Sequence, residues 1–190
     1  MTTFPWYNWR LPGFVAVDPG PEKSAVVRAS PGVPLGFSYI SNQLAMAVIG
    51  EHQSGRPVII EDIEPRGLPL GHDVAQTLRW IGRFDHHSTS VLLHPAAIKA
   101  ALCGSAAVTD ASIRTACCAL LGGERQAVGG IKCPQCKGKG WRGRNHDPCS
   151  TWEVPPGPLY ELAHAADRVH LWRALAVGLA WLRRTAQIAA

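Results

Sequence analysis

The sequence predicts an α/β fold, a mixed sheet with helices on its faces, on three observations. Phe14-Val15-Ala16-Val17-Asp18 and Ala25-Val26-Val27 are apolar runs joined through Pro19-Gly20, the pattern of a hairpin whose first strand is buried. Two further short apolar runs, Val58-Ile59-Ile60 and Val91-Leu92-Leu93, are separated from each other by a stretch of helical periodicity. Finally, Asp18 and Glu61 each stand at the end of such a run, so the chain delivers a carboxylate to the tip of two buried strands.

Taken in order, residues 1–12, with Trp6, Tyr7, Trp9 and two prolines, read as an irregular arm. Residues 13–18 and 24–29 form the hairpin, and 37–40 a third strand. A helix over 42–49 rests on Leu44, Met46, Ala47 and Val48. Residues 57–61 make a strand, and 67–71 a loop. Residues 72–84 are an amphipathic helix with Val74, Leu78, Ile81 and Phe84 on one side. A strand over 90–94 is stopped by Pro95, and a short helix covers 96–102. The helix over 110–121 is closed by Gly122-Gly123. Residues 131–152 form a cysteine-bearing insert, 155–158 a linker, and 159–184 one long terminal helix with Leu171, Leu175, Leu179 and Leu182 as its core stripe. The main domain is thus expected over 1–130 and 153–190, interrupted by the insert at 131–152.

Composition narrows the class of function. At 46% apolar residues the chain is globular rather than disordered, and 190 residues suffice for one full core. A net charge of +5 favours an acidic partner, nucleic acid or phosphate, though many basic proteins bind neither. The apolar stretch from Leu171 to Leu182 is interrupted by Arg173 and is too short for a bilayer. The N-terminus lacks a basic segment followed by an apolar one, so a cytoplasmic protein with no membrane partner is expected. Cys103, Cys117 and Cys118 read as small buried apolar residues rather than as disulfide halves.

A carboxylate on a buried strand is costly unless it has a partner. Two at one sheet edge repel unless a cation lies between them or one takes a proton. Hard oxygen donors suit Mg²⁺ or Mn²⁺. Asp18 and Glu61 are therefore candidate ligands of a divalent ion.

At this point the residues resemble the RuvC family of Holliday-junction resolvases, within the RNase H-like superfamily, and especially its divergent phage-type members. The matching pieces are Ala16-Val17-Asp18-Pro19-Gly20-Pro21 with Ser24-Ala25, Val58-Ile59-Ile60-Glu61 with Ile63 and Gly67, and Trp80-Ile81-Gly82-Arg83-Phe84. They continue with Lys99-Ala100-Ala101-Leu102-Cys103-Gly104, Asp110-Ala111-Ser112-Ile113-Arg114, Pro156-Gly157-Pro158-Leu159-Tyr160 and Trp172-Arg173-Ala174-Leu175-Ala176-Val177. They fall in family order across residues 14–181, apart from the insert. The resemblance implies an RNase H-like five-stranded mixed sheet flanked by helices, and two Mg²⁺ (or Mn²⁺) ions per active site. It implies ligands on the first strand, the fourth strand and the last helix. Asp18, Glu61 and His170 take those places, with Asp167 one turn before His170 as a second candidate. The family carries an acid three residues beyond the His170 position, where this chain has Arg173. Asp110 matches the phage-type relatives and is either an additional acid near the metals or a helix N-cap. Lys99 matches a basic position and is a candidate DNA contact, and Arg114, one turn after Asp110, a candidate phosphate contact. Arg83 lies on the helix that helps form the family's dimer and either contacts phosphate or is solvated.

The insert carries its own signal. Cys133-Pro-Gln-Cys136, nine residues, then His146-Asp-Pro-Cys149 supplies four ligands at the spacing of a tetrahedral, structural Zn²⁺. The Lys137-Gly138-Lys139-Gly140 stretch is similar to the knuckle turns of zinc ribbons and DnaJ cysteine-rich modules. Lys137, Lys139 and Arg142 beside Trp141 suit a nucleic-acid contact or a solvated basic loop.

Together these readings point to a Mg²⁺-dependent, structure-selective endonuclease. It would cut four-way junctions or other branched DNA by two-metal phosphodiester hydrolysis, as a homodimer in a bacterial or phage-infected cytoplasm. The alternative is an inactive branched-DNA-binding protein on the same scaffold, motivated by Arg173. An ATP-using relative of the fold ranks lower, because no second glycine-rich phosphate loop is visible.

Overall fold

The computed structural model describes residues 11–51, 55–63, 70–137, 139, 141–142, 147–148 and 151–185. Most of the expected N-terminal arm and the 67–69 part of the expected loop lie outside them. The sequence folds in the order β1 (Phe14–Asp18), β2 (Lys23–Ser30), β3 (Val33–Ser41), α1 (Asn42–Glu51), β4 (Val58–Glu61), α2 (His72–His87), β5 (Ser90–Leu93), α3 (Pro95–Cys103) and α4 (Asp110–Leu120). It continues with α5 (Glu124–Ala127), β6 (Gly129–Lys132), β7 (Trp141–Arg142), β8 (Asp147–Pro148), β9 (Trp152–Pro156), α6 (Tyr160–His164) and α7 (Arg168–Arg184).

The main sheet has five strands in the order β3-β2-β1-β4-β5. Antiparallel pairing joins β3, β2 and β1, while β1, β4 and β5 run parallel. β1 is central, and each of its five residues is buried.

Period-2 alternation decides where the acids go. Phe14 and Ala16 belong to the core built with α3, α4 and α7, whereas Val15 and Val17 belong to the core built with α1 and α2. Asp18, next in the alternation, is therefore on the α7 side. On β4, Ile59 faces the α7 core and Val58 and Ile60 the other, so Glu61 also turns to α7. The parallel register Val15↔Val58, Ala16↔Ile59, Val17↔Ile60 brings Asp18 and Glu61 to the same level.

Helix α7 lies directly on β1. A Cβ on Gly178 would fall 2.2 Å from Cε2 of Phe14, so only glycine permits this approach. Leu171, Leu175, Leu179 and Leu182 are all buried, as the stripe predicts. Cys117 and Cys118 are buried apolar residues, and burial pushes both thiols up.

Several boundaries differ from expectation. β3 begins at Val33, four residues earlier than its apolar core, because the register with β2 continues to Ser30↔Val33. α2 runs on to His87, beyond the expected end at Phe84, so His86 and His87 are in its last turn. The expected linker prolines Pro155 and Pro156 lie in β9, which among the described residues pairs with β6 alone; an edge position tolerates their missing N–H groups. The terminal helix is two helices. Ala165 is extended (ψ 148°), and the chain restarts at Asp167, whose carbonyl accepts from the amides of His170 and Leu171. Apolar periodicity runs through this break without a Gly or Pro to mark it, so the sequence pattern does not reveal it.

Candidate active site

The turn after β1 is built for a buried acid. Asn42 opens α1 and is fully buried; its Nδ2 donates to the Gly20 carbonyl at 3.0 Å, and its Oδ1 accepts from the Ser24 hydroxyl at 2.6 Å. A Cβ on Gly20 would meet the Lys23 carbonyl oxygen at 2.5 Å, so this turn closes on glycine. The clamp ties the hairpin to α1 just beyond Asp18. Nothing in the sequence pattern flagged it; a buried polar pair has no periodic signature.

Asp18 is 8% exposed. Burial raises its carboxyl above the ordinary range, while a hydrogen bond with Glu61 and the nearby Arg173 charge hold it down in part. Glu61 is pushed further up, first by burial and then by the Asp18 charge and the hydrogen bond with Asp18. The pair therefore shares a proton when no cation is present. Oε2 of Glu61 is buried and has no hydrogen-bond donor among the described residues.

Helix α7 brings the remaining groups. His170, in its first turn, places Nδ1 3.3 Å from Oδ2 of Asp18, and its ring stacks on Tyr39 of β3 at 5.0 Å and 8°. Tyr39, which no sequence pattern singles out, fixes the imidazole plane. Its phenol is raised by partial burial and by Asp167, Asp18 and Glu22. Asp167 is exposed at the helix start, within electrostatic reach of Tyr39.

One turn after His170, Arg173 donates from Nη2 to Oδ2 of Asp110 at 3.1 Å. Asp110 is the first residue of α4 but not its cap, because Thr109 accepts from the Ser112 amide; the capping reading of Asp110 gives way to the ion pair. Partial burial works against the Arg173 charge, but Asp110, Asp18 and Glu61 outweigh it and raise its pKa. A 170 Å³ cavity is lined by Glu61, Lys99, Asp110 and Arg173. A second, of 230 Å³, shares Asp110 and Arg173 and adds Arg114, Arg168 and Trp172. Arg114 lies over the Trp172 ring at 5.4 Å and pairs with Glu124 at 3.4 Å.

Other candidates lie elsewhere. Arg83 is on α2, the opposite side of the sheet, over Trp80 at 4.6 Å. In the insert, the Lys137 amide donates to the Cys133 carbonyl at 2.7 Å and the Lys139 amide to the Cys136 carbonyl at 3.0 Å. Cys136 is buried, and both lysines are exposed. Of Arg142 only the backbone is described, pairing with Asp147. His146 and Cys149 lie outside the described residues.

A divalent cation fits Asp18 and Glu61. Their carboxyls repel, their oxygens are hard donors, and Glu61 keeps one buried oxygen without a donor. Among the described residues no three His, Cys, Asp or Glu side chains converge on one metal position. Two hard carboxylates suit Mg²⁺, an ion that keeps much of its water.

No protein-family model and no curated protein matches the sequence. Among solved structures, RuvC of Thermus thermophilus is similar, with 13% identity, a TM-score of 0.54, and coverage of 93% of this chain and 96% of that one. A structure of T. thermophilus RuvC in complex with a Holliday junction substrate aligns at 15% identity and a TM-score of 0.47, over 91% of this chain and 96% of that one. The first likeness shows the fold: the mixed five-stranded sheet and its flanking helices are RuvC-like and RNase H-like, as the sequence predicts.

Proposed function

We propose that this chain is a divalent-metal-dependent endonuclease that nicks branched DNA, four-way junctions foremost. One observation carries the reading: the buried Asp18 and the half-buried Glu61, whose Oε2 is itself buried, meet on adjacent parallel strands beneath the first turns of α7, beside cavities that Lys99, Arg114, Arg168 and Arg173 help line. Asp18 and Glu61 would hold Mg²⁺ or Mn²⁺, which supplies Lewis-acid activation of a water and of the phosphate.

The chain's own groups do the rest. Lys99 and Arg173 attract the scissile phosphate into the cavity beside Glu61, and Arg114 and Arg168 engage neighbouring phosphates. His170, with Nδ1 turned to Asp18 and its ring fixed on Tyr39, keeps Nε2 as the base that takes the proton of the attacking water. The water oxygen bonds to phosphorus, the P–O3′ bond breaks, and the 3′ oxygen takes up a proton. The products are a 5′-phosphate and a 3′-hydroxyl. A homodimer, implied by the family resemblance, sets two such sites on opposite strands of a junction. In the insert, Cys133, Cys136, His146 and Cys149 hold a structural Zn²⁺, supported by the turn that folds Lys137 back on Cys133.

A synthetic four-way junction with Mg²⁺ tests the reading. Wild type nicks it, and Asp18→Asn abolishes nicking while junction binding persists. Junction binding by wild type with no nicking under any divalent ion selects the inactive-binder alternative, which the presence of Arg173 at the site motivates.

A further inference from the structure

Building on the nuclease reading, we propose that each active site takes a single divalent ion, and that the Arg173 guanidinium supplies the positive charge a second ion would bring. The geometry is specific. Asp18 and Glu61 form one carboxylate pair, and the further carboxylate that acts on Glu61 among the described residues, Asp110, is bound by Arg173 at 3.1 Å. A second ion about 4 Å from the first needs oxygen donors on the far side of Glu61. There the donor is already paired, and a fixed cation repels any arriving metal. Lys99, lining the same cavity, adds to the repulsion.

The same arrangement suits a phosphate. A guanidinium presents five donors in a planar fork, and Asp110 engages Nη2, which orients the fork and leaves other N–H groups for phosphoryl oxygen. The cavity between Glu61, Lys99 and Arg173 is 170 Å³. In the hydrolytic step, water oxygen bonds to phosphorus, its proton passes to His170, and the P–O3′ bond breaks as the 3′ oxygen takes a proton from solvent. Arg173 stabilises the negative charge that grows on the phosphoryl oxygens during this exchange, as a preorganised donor does in an oxyanion hole. Arg173 touches the reacting group in this account and is a catalytic residue.

Counting ions separates this proposal from the function it rests on. Full-length protein as purified is titrated with Mn²⁺, and free ion is followed by electron paramagnetic resonance. One site per chain is expected for wild type, none for Asp18→Asn, and two for Arg173→Asp, which completes a carboxylate set with Glu61 and Asp110. Two sites in wild type overturn the proposal and leave the nuclease reading standing. No site in wild type, together with no nicking, overturns both. At saturating Mn²⁺, Arg173→Met should slow nicking by about 10²–10³-fold, with Arg173→Lys recovering part of it and junction affinity changing little. Nicking by Arg173→Met at the wild-type rate overturns the proposal. Thermal unfolding of all three Arg173 variants close to wild type confirms that an exposed position was changed without loss of fold.

Discussion

In divalent-free buffer at neutral pH, Glu61→Gln makes this protein more stable. The Glu61 carboxyl is pushed up from 4.5 to about 8 by burial and by Asp18. In the unfolded chain it ionises at its ordinary value, so folding at pH 7 must retain a proton that the solvent would remove. At ~1.4 kcal/mol per unit, the cost at pH 7 is on the order of 3 kcal/mol. The sign follows from proton counting: the folded state binds more protons than the unfolded between pH 4.5 and about 8, so stability falls as pH rises through that window. A glutamine has the same shape and no proton to lose, and its amide donates to Asp18 as the protonated acid does. Thermal melts from pH 5 to 8.5 are the assay. Wild type loses stability with rising pH, while the variant is flatter and melts roughly 5–10 °C higher at pH 7 to 8. Adding Mg²⁺ raises the wild-type melt most at alkaline pH and moves the variant less. A variant that melts below wild type at pH 8 without metal refutes the reasoning, because it means Glu61 is stabilising rather than strained.

Three further outcomes test the scaffold. Gly178→Ala gains about 1 kcal/mol of helix propensity but drives a methyl into the Phe14 ring, and overpacking of about 1–3 kcal/mol lowers the urea midpoint. Asn42→Ala leaves the Gly20 carbonyl and the Ser24 hydroxyl without their buried partner, costing about 1–3 kcal/mol by denaturation, and weakens Mn²⁺ binding because the turn beyond Asp18 loosens. Metal analysis finds one Zn²⁺ per chain, and Cys133→Ser or a strong chelator at neutral pH removes it, leaving the main domain's far-ultraviolet signal largely intact.

The part of this fold legible in the sequence is the part with a period. Alternation along Phe14–Asp18 and Val58–Glu61 puts both acids on one face, and the 3.6-residue leucine stripe of α7 presses that helix onto the same face. Alternation accounts for the face each acid takes once its strand is placed, whereas the neighbouring of the two strands and the closing of the last helix over them are implied by the family resemblance and not by any period. The supporting groups have no period. Asn42, Ser24 and Tyr39 act through single hydrogen bonds or one ring contact between distant segments, and the break at Ala165 lacks a Gly or Pro. Asp110 is the instructive case. At a helix start, sequence supports a capping role, and only the approach of α7 shows that its carboxylate serves Arg173.

That approach also explains why an arginine is stable among acids. α7 is pinned by Gly178 against Phe14, so the backbone at residue 173 is fixed two helical turns less two residues earlier, over the cavity beside Glu61. With Asp18, Glu61 and Asp110 all facing that position, an acid at 173 is stable only with further cations to offset it. An arginine needs none, since the surrounding carboxylates raise its pKa and keep it charged. The residue therefore trades dependence on a soluble ion for a charge built into the chain. The site's rate should accordingly saturate with divalent ion along a simple one-site curve: a nicking rate that rises with a Hill coefficient of 2 in Mg²⁺ contradicts the trade directly.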